Sequence, residues 1–394
     1  MISVQEAKQL VNEHCHKLES VQIDLYKATG FVLAEDIHAQ QDSPPFNQSA
    51  MDGYAYAFSE ERVGNELVIV GEIAAGDLPK NISVSNSAVR IFTGAQVPDQ
   101  FDTVVMQEKV EVIGNKLLVK DDTEKKGMNV RLKGSQIAKG SIAIKSGNVI
   151  KPGTSGFLAG IGVNEVKVTR RPNISIISTG NELMSPGKDL DPGKVYECNT
   201  YSLNAALNEY GIEPLAIYRV LDDKNDTENA IRKCLQDSDV VILSGGVSVG
   251  DYDFVSSSLE ACGVKCIFHK VKQKPGKPLY FGKKDNALVF GLPGNPAALL
   301  TCFYEYIAPM LFKMMGYSSE QTSKIELKLS APYVKKAGLT HFLKGKANGN
   351  EVTILNAQES YLMSSFAMAN CIVQLDESRS TFEKGDMVEV QLLH

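Results

Sequence analysis

From Asn173 to Leu311 the chain alternates short apolar runs with stretches of helical spacing. That alternation limits the folds open to it more than any other feature. "ISIIST", "PLAIYRV", "VVILSG" and "ALVFGL" read as strands. "NTYSLNAALNEYG", "TENAIRKCLQ", "FVSSSLEACG" and the apolar segment after "GLPGNP" read as helices between or after them. Strands separated by helices at this spacing imply a doubly wound parallel sheet. Val240, Val241, Ile242 and Leu243 are apolar without alternation, which fits a strand covered on both faces.

The flanks have other textures. Ser3 to Leu18 reads as an amphipathic helix opened by a Ser3/Glu6 capping box. "DSPPFNQSAMDGYA" is broken by Pro44, Pro45 and Gly53. Leu67 to about Asp122 is β-rich, with a hairpin turn at Gly114. Lys324 to His394 holds short strands, as in a small β-barrel or sandwich.

Composition narrows the function. The chain has 394 residues, enough for two to four domains, and a formal net charge of −6. That balance argues against nucleic acid and against a membrane surface as partners. No apolar stretch reaches membrane-spanning length, and the opening "MISVQEAKQL" lacks the basic and apolar regions of a signal peptide. The seven cysteines are irregularly spaced and the six histidines do not cluster usefully. Reduced thiols and a cytoplasmic setting are expected, with any metal held by carboxylates.

Three acids follow three successive strands: Glu182, Asp222 and Asp253. In a parallel sheet all three leave the same edge, where open α/β sheets bind ligands. Helix capping and a shared hard-cation site are both open readings of them. The loop after Val240–Ser244 carries Gly245, Gly246 and Gly250. It is either a tight turn or a place where backbone approaches a ligand. "HKVKQKPGKPLYFG" packs Lys270, Lys272, Lys274 and Lys277 around Pro275 and Gly276. It is either a solvated loop or an oxyanion site stiffened by proline. "GLPGNPAA" puts Asn295 at a helix cap and Pro296 in its first turn, and a helix N-terminus there favours an anion. No P-loop, no Rossmann glycine fingerprint and no GxSxG triad order is present.

Taken in order, "SAMDGYA", "GEIAAG", "RIFTGAQVP", "ISTGNEL", "SGGVSVGDYDF", "KPGKPLYFG" and "GLPGNPAA" resemble the blocks of the molybdopterin molybdenumtransferases, the MoeA and gephyrin E-domain family. The similarity runs from about Val4 to Glu389. It implies a multidomain α/β plus β fold. An elongated helical segment (residues 1–40 and 140–171) is followed by a β-rich domain (41–139). An α/β domain similar to the molybdopterin adenylyltransferases (172–317) and a C-terminal β-barrel (318–394) complete it.

The implied activity inserts molybdenum from molybdate into adenylylated molybdopterin, with AMP released and Mg²⁺ required. Adenylyl transfer itself, or a scaffold role of the gephyrin type, are the alternatives. The resemblance carries metal binding to Glu182, Asp222 and Asp253, and catalysis to Asp52, Thr93, Lys270 and Lys274. It carries substrate contacts to Gly245, Gly246, Ser248, Lys277, Pro293, Pro296, Lys344 and Ser360. Lys344 in "HFLKGK" stands where relatives commonly have Arg, which keeps the charge without the bidentate fork. A homodimer is implied, with a molybdopterin adenylyltransferase and molybdoenzyme acceptors as partners.

Overall fold

The computed structural model describes residues 1–60, 66–79, 85–120, 123–246, 254–318 and 324–393. Ser248 and Asp253 lie outside the described residues. The chain forms two compact units. One is Met1–Val21, Gly30–Ala34 and Lys167–His394; the other is Gln22–Thr29 and Glu35–Val166.

The second unit is built on a six-stranded sheet. Its order is Thr103–Met106, Gly53–Tyr56, Ser87–Ile91, Glu66–Ile73, Lys116–Val119 and Val110–Ile113. The last two pair antiparallel around Gly114, the hairpin expected from the sequence. Side chains alternate between two cores. Ala55, Val89 and Val104 enter one, and Tyr56, Ala88 and Val105 the other.

In the first unit a six-stranded sheet runs Ala216–Val220, Ile174–Thr179, Val240–Ser244, Ala287–Leu292, Tyr280–Lys284 and Lys265–His269. The first four are parallel, as expected. The last two are antiparallel, an edge the sequence rhythm did not announce. The strands Ile174–Thr179, Val240–Ser244 and Ala287–Leu292 are buried throughout. Val240 and Ile242 join one core while Val241 and Leu243 join another, which explains the unbroken apolar run. The N-terminal helix Val4–His14 lays Val4, Ala7 and Val11 on the first of these cores. Ser3 Oγ accepts from the Glu6 amide at 3.1 Å, as its capping box requires.

After the helix Pro296–Cys302 the chain makes a π-turn, Phe303–Ile307, and continues as Ala308–Met314. The turn carries Glu305, which is fully buried. Its Oε2 accepts from Lys8 Nζ at 2.5 Å and from Lys324 Nζ at 2.8 Å. Burial opposes the charge, but the two ammonium groups hold the Glu305 carboxyl below its ordinary range. Such a carboxylate stabilises the fold above the unfolded carboxyl's pKa, and that contribution is lost as pH falls through the depressed value. Glu305→Gln leaves two ammonium groups facing a neutral amide and should destabilise by about 3–5 kcal/mol, the usual effect of breaking a buried charge cluster. The urea midpoint at neutral pH measures it.

The C-terminal segment closes into a five-stranded barrel. Thr340–Asn348, Glu351–Ile354, Ile325–Leu329, Met387–Leu392 and Cys371–Leu375 pair in a ring that returns to Thr340–Asn348. Leu327, Leu343, Val352, Val373 and Val390 fill its interior. Phe342 and Ile372 point outward and join the core shared with the parallel sheet.

Candidate active site

The parallel sheet has a switch point. From Ile174–Thr179 the chain crosses to Ala216–Val220 on one side, then returns to Val240–Ser244 on the other. Loops leaving the carboxyl ends of adjacent strands on the two sides of such a point diverge and leave a crevice. A cavity of about 660 Å³ lies there. Glu182, Asp222, Gly245, Gly246, Pro293 and Pro296 all line it. The sequence therefore placed six of its candidates around one space.

Two strand-end loops are tied by a reciprocal pair. The Asn181 amide donates to Asp222 Oδ2 at 3.0 Å, and the Asp222 amide donates to Asn181 Oδ1 at 3.1 Å. This fixes the loop that carries Glu182. Both carboxylates are exposed. Among the described residues no group of three His, Cys, Asp or Glu side chains is gathered closely enough to hold a metal.

The glycine loop has a steric reason. Gly245 has φ +92°, and a Cβ there would lie 2.7 Å from the Thr179 carbonyl oxygen. Gly246 has φ +63°, with Val255 Cγ2 at 2.6 Å from the same imagined atom. Backbone thus forms the floor of the cavity. Gly245→Ala should cost about 1–3 kcal/mol in backbone strain, add a clash with Thr179, and abolish activity. A calorimetric Tm and an activity assay read the two effects together.

Asn199, which sequence reasoning missed, joins the sides of the cavity. Its Nδ2 donates to Ser244 Oγ at 2.8 Å and to the Gly294 carbonyl at 2.9 Å. Its partners lie 45 and 95 residues away, so no local pattern marks it. Cys198 and Tyr361 also line the cavity. Burial and the nearby Glu197 charge raise the Cys198 pKa, so the thiol stays protonated at neutral pH.

The helix at Pro296 corrects an expectation. Its first two N–H groups, Ala297 and Ala298, donate to the Ser360 carbonyl at 3.0 and 3.2 Å. Asn295 makes no side-chain cap; its Nδ2 donates to Ser360 Oγ at 3.0 Å. The helix terminus is closed by the chain itself and offers no anion site.

Lys270, Lys274 and Lys277 do not line the cavity, whereas Pro278, beside Lys277, does. Their loop is held on several sides. Lys270 and Val271 donate to the Leu279 and Lys277 carbonyls at 3.0 Å each. Ile2 donates to the Lys270 carbonyl at 3.2 Å and accepts from Lys272 at 2.8 Å. Gln273 and Lys274 ladder with Thr340 and His341 of the barrel. Gln273 is buried, donates to the Gly276 carbonyl at 3.0 Å and accepts from the Tyr306 hydroxyl. Lys270 sits at φ +98°, a strained conformation for a side-chain-bearing residue that marks functional positions more often than others. Such anchoring does not describe a loose solvated loop. His341, laddered beside Lys274, is pushed down to about 4 by burial and by the Lys335 and Lys274 charges. It is neutral at neutral pH.

Lys344 is 3% exposed. Its Nζ donates to the carbonyls of Ala357, Glu359 and Leu362 at 3.0, 3.3 and 3.4 Å. The expected anion contact is not what these donors make.

In the other unit, Gly53 and Ile91 are register partners, which brings Asp52 beside Thr93 at the strand ends. Asp52 Oδ1 accepts from the Thr93 amide at 2.8 Å and from Thr93 Oγ1 at 2.7 Å. Those two bonds, the amide first, hold the exposed Asp52 carboxyl below its usual range.

A switch-point cleft with backbone at its floor and carboxylates at its rim, in a chain that also carries a closed barrel, defines a multidomain α/β protein with a ligand site at the usual edge of an open sheet. Residues 2–162 match the MoeA N-terminal region (domain I and II), 175–313 a probable molybdopterin binding domain, and 326–393 the MoeA C-terminal region (domain IV). The molybdopterin molybdenumtransferase of Haemophilus influenzae is 34% identical over 94% of this chain and 93% of its own. That of Nostoc sp. is 37% identical over 80% of this chain and 75% of its own. Two structures of the molybdopterin biosynthesis MoeA protein of Pyrococcus horikoshii align over 100% of this chain and 99% and 100% of theirs. Their TM-scores are 0.84 and 0.81, at 30% and 25% identity. The chain belongs to the molybdopterin molybdenumtransferase family and is an enzyme of molybdenum cofactor biosynthesis.

Proposed function

We propose that the switch-point cleft binds adenylylated molybdopterin, that its phosphoanhydride is cleaved there with release of AMP, and that molybdenum from molybdate passes to the freed molybdopterin. The observation that carries this reading is the convergence of Glu182, Asp222, Gly245, Gly246, Pro293 and Pro296 on one cavity large enough for such a ligand.

Mg²⁺ belongs to the proposal. The donors at the cleft suit it, because Glu182 and Asp222 are exposed oxygen ligands and the neighbouring thiol is protonated. Glu182 and Asp222 would hold the ion, which when bound supplies Lewis-acid polarisation of a phosphoryl oxygen. Asp253, outside the described residues, is the third ligand that the family resemblance implies. Gly245 and Gly246 let a phosphate approach backbone that a side chain would block. Asn199 holds the Ser244 and Gly294 sides of the cleft at a fixed separation. Lys270 and Lys274, on their anchored loop, are the cations assigned to molybdate, and Lys277 to the substrate's phosphates. The same reading assigns Asp52 and Thr93, one hydrogen-bonded unit, to catalysis. It includes a homodimer as the active assembly, an adenylyltransferase as the source of substrate, and molybdoenzymes as acceptors.

Purified protein given adenylylated molybdopterin, molybdate and Mg²⁺, without ATP, should accumulate AMP, and chelation of Mg²⁺ should stop it. Consumption of ATP with molybdopterin as the acceptor would instead place the chain at the preceding adenylyl-transfer step.

A further inference from the structure

Lys344 occupies a position where a cation invites an anion, yet its surroundings leave none of it for a ligand. Strand alternation in Thr340–Asn348 puts Leu343 inside the barrel and Lys344 on the outward face, beside Phe342. The ammonium lies 6.0 Å from the centroid of the Phe366 ring. Its three protons match three carbonyl partners, Ala357, Glu359 and Leu362. These carbonyls belong to one short segment, residues 355–365.

That segment has little regular structure, but it is tied down from both ends. Leu355 donates to the Lys344 carbonyl at 3.0 Å. Gln358 Oε1 accepts from the Lys344 amide at 3.0 Å, and its Nε2 donates to the Lys344 carbonyl at 2.9 Å. Ser365 Oγ donates to the Ala357 carbonyl at 2.7 Å. Ala357 itself has φ +59°, a conformation that its neighbours must impose. At the far side of the segment, Ser360 closes the Pro296 helix and Tyr361 forms part of the cavity wall. Tyr361 is 62% exposed, so burial of its side chain contributes little to fixing its position.

We propose that Lys344 is a positioning residue: its buried ammonium gathers three carbonyls of residues 355–365 and so sets where Ser360 and Tyr361 stand at the cleft, without touching substrate or molybdate itself. This inference rests on the cleft being the substrate site. It gives the barrel a role in the reaction, as the carrier of one wall. It also explains why Lys can stand at this position: three diverging carbonyls suit the rotatable donors of an ammonium, with no need for a planar fork.

Three measurements on the full chain test it, and the first two read no activity, so those two stand apart from the identity of the substrate. In wild-type protein, an amine-acylating reagent followed by mass spectrometry should leave Lys344 unmodified, with or without molybdate, while an exposed lysine remote from the site such as Lys233 reacts in both cases. Modification of Lys344 in the free protein, with or without protection by molybdate, would overturn the proposal. In Lys344→Met, amide hydrogen exchange across residues 357–362 should speed up by at least about 10-fold, while strands of the parallel sheet keep their protection. Unchanged exchange in that segment would also overturn it. In the activity assay the same variant should show a raised KM for adenylylated molybdopterin with the half-saturating molybdate concentration unmoved, the pattern of a displaced wall. A raised molybdate requirement at constant KM would identify an anion ligand instead. Lys344→Arg keeps the charge but not the three-way geometry, and should fall between wild type and Lys344→Met in exchange rate.

Discussion

Asp222→Asn should slow AMP release by about 100-fold or more, the scale expected when a charge that acts on a phosphoryl group is lost. The substitution is nearly isosteric. Its side-chain oxygen still accepts from the Asn181 amide, so the reciprocal pair between the two loops survives. What disappears is the negative charge at the cleft. The loss should therefore appear in the rate and in the Mg²⁺ concentration needed for half-maximal activity, with the Tm held within a degree or two. Because Asp222 and Asn181 are exposed, a large drop in Tm would mean that the pair is structural and the carboxylate is not a ligand.

Lys274→Ala should raise the half-saturating molybdate concentration by about 10-fold or more. One hydrogen bond to a charged group contributes about 1.5–3 kcal/mol. The backbone at Lys274 is laddered to His341 whatever side chain it carries, so the loop keeps its course. The KM for adenylylated molybdopterin should move much less. His341 supplies no replacement cation, because it is neutral near pH 7. Removing Lys274 also removes one of the charges that lowers the His341 pKa, so the variant's imidazole should titrate closer to its ordinary value. A proton NMR titration follows that shift independently of turnover.

The legible part of the fold is the part whose signal is local. Val240–Leu243 is apolar at every position because two cores flank it, and that pattern needs no knowledge of distant residues. Strand-end acids were legible for the same reason: once the strands are parallel, Glu182 and Asp222 leave one edge. The antiparallel strands Lys265–His269 and Tyr280–Lys284 were not, because the lysine-rich segment between them resembles a solvated loop. Its order comes from Ile2 and from Thr340, far away in sequence.

Contacts that no local sequence pattern marks account for the site residues misjudged or missed. The Pro296 helix has the sequence of an anion-binding turn, but a carbonyl 63 residues later fills it. The charge of Lys344 is plain in the sequence; the three carbonyls that occupy it belong to a segment whose course only the fold defines. Asn199 reads as one more polar residue at a helix start, and becomes a cleft-spanning donor only when Ser244 and Gly294 are brought beside it.

The central claim is that one cleft couples release of AMP to transfer of molybdenum. Stoichiometry tests it most directly. Wild-type protein is incubated with adenylylated molybdopterin, Mg²⁺ and limiting molybdate, without ATP. AMP is counted by chromatography, and molybdenum bound to the pterin product is counted by elemental analysis after the product is separated. The two should rise together in a ratio near one. Asp222→Asn should suppress both, and Lys274→Ala should shift both to higher molybdate. Molybdenum transferred with no AMP formed, or AMP formed in Asp222→Asn at the wild-type rate, would contradict the account.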